Sequence, residues 1–128
     1  MSLVECELAR VVLSETHTRQ VVVLKEKDGE RKMPIVIGPF EVHAIHRVIN
    51  DQPPPRPLTH ELFSNVLDAL GAKIERVIIC DLRDMTFYGR LVLSRDGKTY
   101  DLESRPSDAI ALAVQKGAPI FIEEAVLD

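Results

Sequence analysis

The amino-acid sequence predicts a single compact α+β domain over residues 1–128, with a mixed, largely antiparallel sheet and three helices. A length of 128 residues supports one hydrophobic core but is too short for two independently stable ones. Asp-Gly dipeptides at residues 28–29 and 96–97 indicate hairpins between antiparallel strands. Apolar runs and stretches of helical periodicity follow in the order βββααβββαβ, which is typical of an α+β fold rather than a doubly wound one.

Three strands are predicted to open the chain, over residues 4–14, 20–24 and 33–37. Apolar and polar residues alternate at the start of the first strand, and a polar turn over residues 15–19 leads to the second. Asp28-Gly29 then connects the second strand to the third. Because Pro34 has no amide donor for a central ladder, we expect the third strand to be an edge strand or to contain a bulge.

Two helices are predicted next, separated by the extended proline-rich residues 53–57. Pro39 favours the first helical position, and the first helix is expected to end near Asn50. Thr59 is the expected N-cap of the second helix, and Gly71 its C-terminal stop. Helical spacing places five apolar residues on one face of the second helix: Leu62, Phe63, Val66, Leu67 and Leu70.

The second half of the chain is predicted to form a central strand (residues 73–82), a hairpin of two strands (86–94 and 98–103), a third helix (105–117) and a last strand (119–122). Residues 109–114 are apolar almost all round the third helix. Such a helix is buried on more than one side, either inside the fold or against a partner chain.

Charge and hydropathy exclude several classes of protein. The chain carries 16 Lys and Arg against 20 Asp and Glu, and the surplus of four acidic residues lies in residues 101–128. Without a basic cluster longer than Arg31-Lys32, electrostatics alone does not bring this protein to nucleic acid. No apolar run is long enough to span a bilayer, and the first five residues lack signal-peptide features, so we expect a cytoplasmic location and no membrane. Cys6 and Cys80 form no motif and are expected to be buried free thiols.

The candidate functional residues lie at the starts of the three helices, where free amides and the helix dipole favour anions. At the first helix, Glu41 is placed as a dipole partner, while His43 and His46 share a face that suits either a metal or plain solvent exposure. At the second helix, His60 is a candidate general base that the neighbouring Glu61 could orient, or an exposed residue beside a helix cap.

At the third helix, Arg105 and Asp108 could bind a phosphate and a divalent ion, respectively. The structural alternative is that Ser107 and Asp108 cap free amides. In that case Arg105 pairs with Asp101 or with a second carboxylate, Glu103.

Four ordered blocks, spread over nearly the whole chain, resemble the bifunctional nuclease domain family. They are residues 34–41 (PIVIGPFE), 56–60 (RPLTH), 84–88 (Asp-x-Thr-Phe-Tyr) and 104–110 (SRPSDAI). The resemblance implies a compact α+β domain and, as in plant members, nuclease activity on both DNA and RNA. Four of the candidate residues fall at matching positions: Glu41, His60, Arg105 and Asp108.

The leading hypothesis is therefore a nuclease that hydrolyses phosphodiester bonds in nucleic acid with the help of Mg²⁺ or another divalent metal. Glu41 and Asp108 would bind the metal, His60 would act as general base or acid, and Arg105 would hold the phosphate. One alternative is a non-catalytic oligomeric module that binds an anion or a partner protein. Another is a regulatory component that binds basic surfaces through its acidic tail. We also expect a homo-oligomer, most simply a dimer.

Overall fold

A computed structural model describes residues 2–13 and 20–127 of the chain. Its elements follow the predicted order: β1 (Leu3–Val12), β2 (Gln20–Glu26), β3 (Lys32–Ile37), α1 (Pro39–Ile49), α2 (Thr59–Ala69), β4 (Lys73–Arg83), β5 (Thr86–Arg95), β6 (Lys98–Ser104), α3 (Pro106–Lys116), β7 (Ile120–Glu123) and α4 (Glu124–Leu127). The short helix α4 adds to the three predicted helices. The polar turn predicted at residues 15–19 lies outside the described residues.

The seven strands form one sheet in the order β3-β2-β1-β7-β4-β5-β6. All neighbours are antiparallel except β4 and β7, which pair in parallel from Val77 and Ile120 to Ile79 and Ile122. The predicted α+β class with a mixed, largely antiparallel sheet is therefore confirmed. Pro34 lies in the edge strand β3, as its missing amide donor requires.

Helix α3 lies at the centre of the hydrophobic core. It packs against α1 and α2 on one side and against β4 and β5 on the other. Each residue from 109 to 113 is at most 3% exposed. Of the two explanations for its apolar sequence, burial inside the fold is correct, and α3 offers no free face to a partner chain.

Helix α2 differs from its prediction at its start and on its apolar face. Its N-cap is Leu58, and Thr59 is the first helical residue, because Glu61 closes the helix start: its Oε1 accepts a hydrogen bond of 3.0 Å from the Leu58 amide. Of the predicted apolar face only Leu67 is buried. The other four side chains are 41–56% exposed: Leu62, Phe63, Val66 and Leu70.

Both cysteines are free thiols, as predicted, but only Cys6 is buried and Cys80 is half-buried. Burial raises the pKa of the Cys6 thiol to about 11, with a further contribution from the nearby Glu26 carboxylate. Burial also raises the pKa of Cys80. None of the helices in residues 2–13 and 20–127 is long and apolar enough to cross a membrane.

The substitution Gly89→Ala is expected to destabilise the domain and disturb the start of α3. A Cβ atom at this position of β5 would lie 2.8 Å from the Ser104 carbonyl oxygen and 3.3 Å from the Pro106 nitrogen, so backbone must move. We expect the free energy of unfolding in urea to fall by about 1–3 kcal/mol. Gly71→Ala is the control: its φ of +71° is costly for alanine, but the added Cβ atom would have no other atom within 4 Å. Only Gly89→Ala should also shift the amide NMR signals of Arg105 and Asp108, and unchanged signals would contradict the close approach.

Alkylation of Cys6 by iodoacetamide is expected to require unfolding near neutral pH. The thiolate is the reactive form, and a raised pKa together with burial keeps the thiol protonated and shielded. In a Cys80→Ala variant, mass spectrometry should show slow modification of the folded protein that accelerates as the pH approaches about 11. Rapid modification at about pH 8 in the folded state would show that Cys6 is accessible.

Candidate functional site

A pocket of about 1020 Å³ lies where the first turns of α1, α2 and α3 meet the end of β6. All four residues singled out from the sequence line this pocket: Glu41, His60, Arg105 and Asp108. The remaining lining residues are Phe40, His43, Arg47, Leu58, Thr59, Phe63, Leu91, Leu102, Glu103, Ser104 and Leu112. The three helix starts, which are far apart in sequence, therefore converge on one concave site.

Asp108 binds two neighbours at once. Its Oδ1 lies 2.8 Å from His60 Nε2, and its Oδ2 accepts a hydrogen bond of 2.9 Å from Arg105 Nε. Because an ionised carboxylate can only accept, His60 Nε2 carries the hydrogen in this pair. The Nδ1 atom of a neutral His60 ring is then the nitrogen with a free lone pair, so the ring is held in the tautomer that a general base needs.

Arg105 links this pair to Glu41. Its Nη2 lies 3.3 Å from Glu41 Oε1, and the Glu41 side chain is only 9% exposed, whereas that of Arg105 is 66% exposed. Gly38 leaves room for the carboxylate, since a Cβ atom there would lie 2.7 Å from Glu41 Oε1. The hydrogen bond to Asp108 raises the pKa of Arg105 further above its already high value, so the guanidinium stays charged wherever the domain is folded. The result is a continuous chain from His60 through Asp108 and Arg105 to Glu41.

Two structural alternatives for the start of α3 are wrong. Arg105 does not pair with Asp101 or Glu103, because Asp101 is bound by Arg90, with Nε and Oδ1 2.8 Å apart. No side-chain cap closes the start of α3, where Arg105 is the N-cap and both Asp108 oxygens have other partners. Capping therefore does not account for these residues.

The prediction that Glu61 orients His60 is also wrong. The carboxylate that binds His60 is Asp108, on another helix, while Glu61 binds Arg47 and Gln115, with Oε2 3.2 Å from a nitrogen of each. These contacts attach the start of α2 to both α1 and α3. Glu61 therefore acts on His60 indirectly, by fixing the helix that carries it.

The lining residues that sequence reasoning did not single out include Arg47, Phe40 and Phe63. Arg47 lies one turn after His43 on α1, and Phe63 lies one turn after His60 on α2, so helical spacing from the candidate histidines would have found both. Phe40 precedes Glu41 directly and occupies an apolar position of α1 at which a buried side chain is expected. Instead it is 83% exposed.

The donor set of the pocket, as arranged, does not fit a divalent metal. Glu41 and Asp108 both bind the Arg105 guanidinium, which lies between them. Among the described residues no group of three or more His, Cys, Asp or Glu side chains is placed to hold a metal ion. His43 lines the pocket but His46 does not. The divalent metal expected from the sequence thus stays a prediction, without a set of ligands assigned to it.

Comparison with known proteins gives a family model and several relatives. The model described as the bifunctional nuclease domain matches residues 22–128. An uncharacterized protein of Mycobacterium tuberculosis is 39% identical over 123 residues, which cover 96% of this chain and 73% of that protein. Bifunctional nuclease 1 of rice (Oryza sativa subsp. japonica) is 25% identical over 118 residues, and bifunctional nuclease 2 of Arabidopsis thaliana is 26% identical over 107. The aligned residues cover 89% and 80% of this chain but only 36% and 32% of those two plant proteins.

Removing Arg105 is expected to destabilise the domain through Glu41. The substitution Arg105→Met leaves the buried Glu41 carboxylate without its cationic partner, so we expect the free energy of unfolding to fall by about 1–3 kcal/mol. Adding Glu41→Gln should recover part of this loss, since the neutral amide needs no cation. Arg90→Met breaks the exposed pair with Asp101 and should cost at most about 1 kcal/mol. Equal losses for the two arginine variants would show that the Glu41 contact contributes nothing.

Proposed function

We propose that this chain, which belongs to the bifunctional nuclease domain family, hydrolyses phosphodiester bonds in DNA and RNA. The observation that carries the proposal is the convergence of His60, Asp108, Arg105 and Glu41 in one open pocket, joined by contacts of 2.8–3.3 Å. The names of the plant relatives, bifunctional nucleases, support the same activity. Those proteins are much longer than the matched segment, so the activity of this chain is inferred from its own site.

The residues of the pocket have distinct roles in this scheme. His60 Nδ1 accepts a proton from water as the water oxygen bonds to phosphorus and the bond to the leaving oxygen breaks, and the imidazolium then returns a proton to that oxygen. Asp108 orients the ring and stabilises its charged form. Arg105 neutralises the phosphoryl oxygens, since it lines the pocket and its side chain is 66% exposed. Glu41 acts through Arg105 as a positioning residue.

Because the donor set of the pocket does not fit a divalent metal, Mg²⁺ enters only as a variable of the test. No step of the scheme is routed through it. A cytoplasmic location is also part of the proposal.

Nuclease activity should depend on His60 and Asp108, and not on residues of the same types outside the pocket. With highly purified protein, His60→Gln and Asp108→Asn are each expected to lower the cleavage rate of labelled DNA and RNA by about a hundredfold or more. His46→Gln and Asp101→Asn are the controls, since neither residue lines the pocket and Asp101 pairs with Arg90 much as Asp108 pairs with Arg105. Rates should be measured with magnesium and with chelator.

Two results would refute the catalytic proposal. One is activity that does not coincide with the protein peak in chromatography, because contaminating nucleases act at trace levels. The other is activity that survives in the double variant His60→Ala with Asp108→Ala. If all cleavage is absent and the pocket still binds anions, the non-catalytic alternative is correct.

The exposed face of α2 supports the hypothesis that the chain forms an oligomer. An oligomer is compatible with catalysis. Exposed apolar side chains recur every four residues from the N-cap to the C-cap of α2 and form a stripe: Leu58, Leu62, Val66 and Leu70. We infer that a second copy of this chain covers the stripe, giving a homodimer. The acidic tail is a weaker candidate for partner binding, because Glu124 pairs with Arg31 at 2.9 Å.

The dimer is tested by placing a charge in the stripe. Val66→Asp is expected to convert the protein to a monomer in sedimentation velocity at micromolar concentration, because an unpaired carboxylate in an apolar interface is costly. Val36→Asp is the matched control, since Val36 is similarly exposed but lies on the edge strand β3. A wild-type protein that sediments as a monomer would show that the stripe has no second copy on it.

A further inference from the structure

The pocket has an apolar wall beside its chain of polar residues. Six of the lining residues are large and apolar: Phe40, Leu58, Phe63, Leu91, Leu102 and Leu112. Phe40 is 83% exposed, and Leu58, Phe63 and Leu102 are also exposed. Phe40 belongs to α1 and Phe63 to α2, so two helices contribute an aromatic ring. An exposed apolar wall of this kind, bordered by polar groups, is typical of a ligand-binding surface.

The charges of the pocket do not suit a row of phosphates. Its lining contains three carboxylates, those of Glu41, Glu103 and Asp108, and only two guanidinium groups, those of Arg47 and Arg105. Arg47 is bound by Glu61, with 3.2 Å between Nη2 and Oε2. Arg105 is the one guanidinium in the pocket whose side chain is mostly exposed. The site therefore offers a cation to about one phosphate, whereas proteins that bind duplex backbones neutralise several.

We propose that this pocket takes an unstacked nucleotide of single-stranded DNA or RNA, with the base on the apolar wall at Phe40 and Phe63 and its phosphate at Arg105. The inference rests on the proposed nuclease function and specifies its substrate. The face of a base is available to an aromatic ring in a single strand but is covered by its neighbours in a duplex. Stacking is also independent of charge, so it supplies binding free energy that a domain with a net charge of −4 lacks from electrostatics.

The arrangement brings the bound phosphate to the catalytic groups. Arg105 Nε contacts Asp108, which in turn contacts His60, and Phe63 lies one helical turn after His60 on α2. Phe63 is thus placed near His60 by helical spacing, and Arg105 is linked to His60 through Asp108. The apolar wall then favours single strands over duplexes, while the polar residues act on the phosphodiester backbone of the bound strand.

Binding is tested with a fluorescein-labelled, hydrolysis-resistant phosphorothioate oligonucleotide, single-stranded and as its duplex, by fluorescence anisotropy. We expect the single strand to bind at least about tenfold more tightly than the duplex, and Phe40→Ala to weaken single-strand binding by about tenfold. Phe40→Trp should retain binding because it keeps an aromatic face. Met85→Ala is the control, since Met85 is 94% exposed in the β4–β5 turn and does not line the pocket.

The salt dependence provides a second measurement. One phosphate contact predicts a slope of about −0.7 in a plot of log K against log salt for a single strand, and a row of contacts predicts a multiple of it. Phe40→Ala should lower the affinity without changing this slope, whereas Arg105→Gln should reduce the slope. Circular dichroism checks that each variant is folded.

The outcomes separate this inference from the nuclease proposal. Equal affinity for single strand and duplex, equal effects of the Phe40 and Met85 substitutions, or no binding at all would overturn the inference. Cleavage of duplex DNA as fast as single strands would overturn it too while leaving the nuclease proposal intact. Ring-dependent binding of single strands by a protein that cleaves no nucleic acid would support the inference and overturn the nuclease proposal. A Phe40→Ala variant with altered sedimentation but unchanged binding would assign the ring to the dimer contact instead.

Discussion

The burial of α3 is the constraint on which the rest of the structure depends. Residues 109–113 are almost completely inaccessible, and the helix is enclosed by two other helices and by two strands of the sheet. Its axis is therefore fixed by core packing, which tolerates little displacement. The backbone of Ser104 and Pro106 approaches Gly89 so closely that the start of the helix is fixed as well. Arg105 and Asp108 thus occupy defined positions although they belong to the solvent-accessible end of the helix.

Part of the acidic surplus of residues 101–128 takes part in ion pairs. Asp101 binds Arg90, Asp108 binds Arg105, and Glu124 binds Arg31. Two of the three arginines belong to earlier parts of the chain that carry equal numbers of charges of each sign. Two acidic residues of this segment, Asp101 and Glu124, are therefore paired across the fold with arginines of earlier segments. Net charge therefore describes this surface poorly, and the local charges of the pocket are the relevant quantity.

Much of the fold could be predicted from sequence because its signals are local. Asp28-Gly29 and Asp96-Gly97 lie at hairpins, Pro39 begins α1 and Gly117 ends α3, each through a backbone requirement of one or two residues. The positions of the candidate residues at helix starts were predicted for the same reason. Their partners were not, because the contact between His60 and Asp108 joins residues 48 positions apart and depends on how α2 packs on α3.

The apolar face of α2 shows the limit of periodicity in another way. Spacing correctly identified Leu62, Val66 and Leu70 as one stripe, but periodicity cannot show what covers a stripe. In this chain α2 lies on the outside of α3, and only the residues turned toward α3, such as Leu67, are enclosed. Phe40 is a similar case, since it occupies an apolar position at the start of α1 and is nevertheless exposed at the pocket.

The position of β7 has a consequence for biosynthesis. The strands β1–β3 and β4–β6 are two meanders, and β7 is the strand that lies between them and pairs with β1 on one side and β4 on the other. Residues 120–123 follow the six other strands in the chain. Until they emerge, β1 and β4 both present unpaired edges, which are sites for association between chains. The nascent chain therefore carries two half-sheets that depend on shielding, and the sheet can close only after β7 has been synthesised.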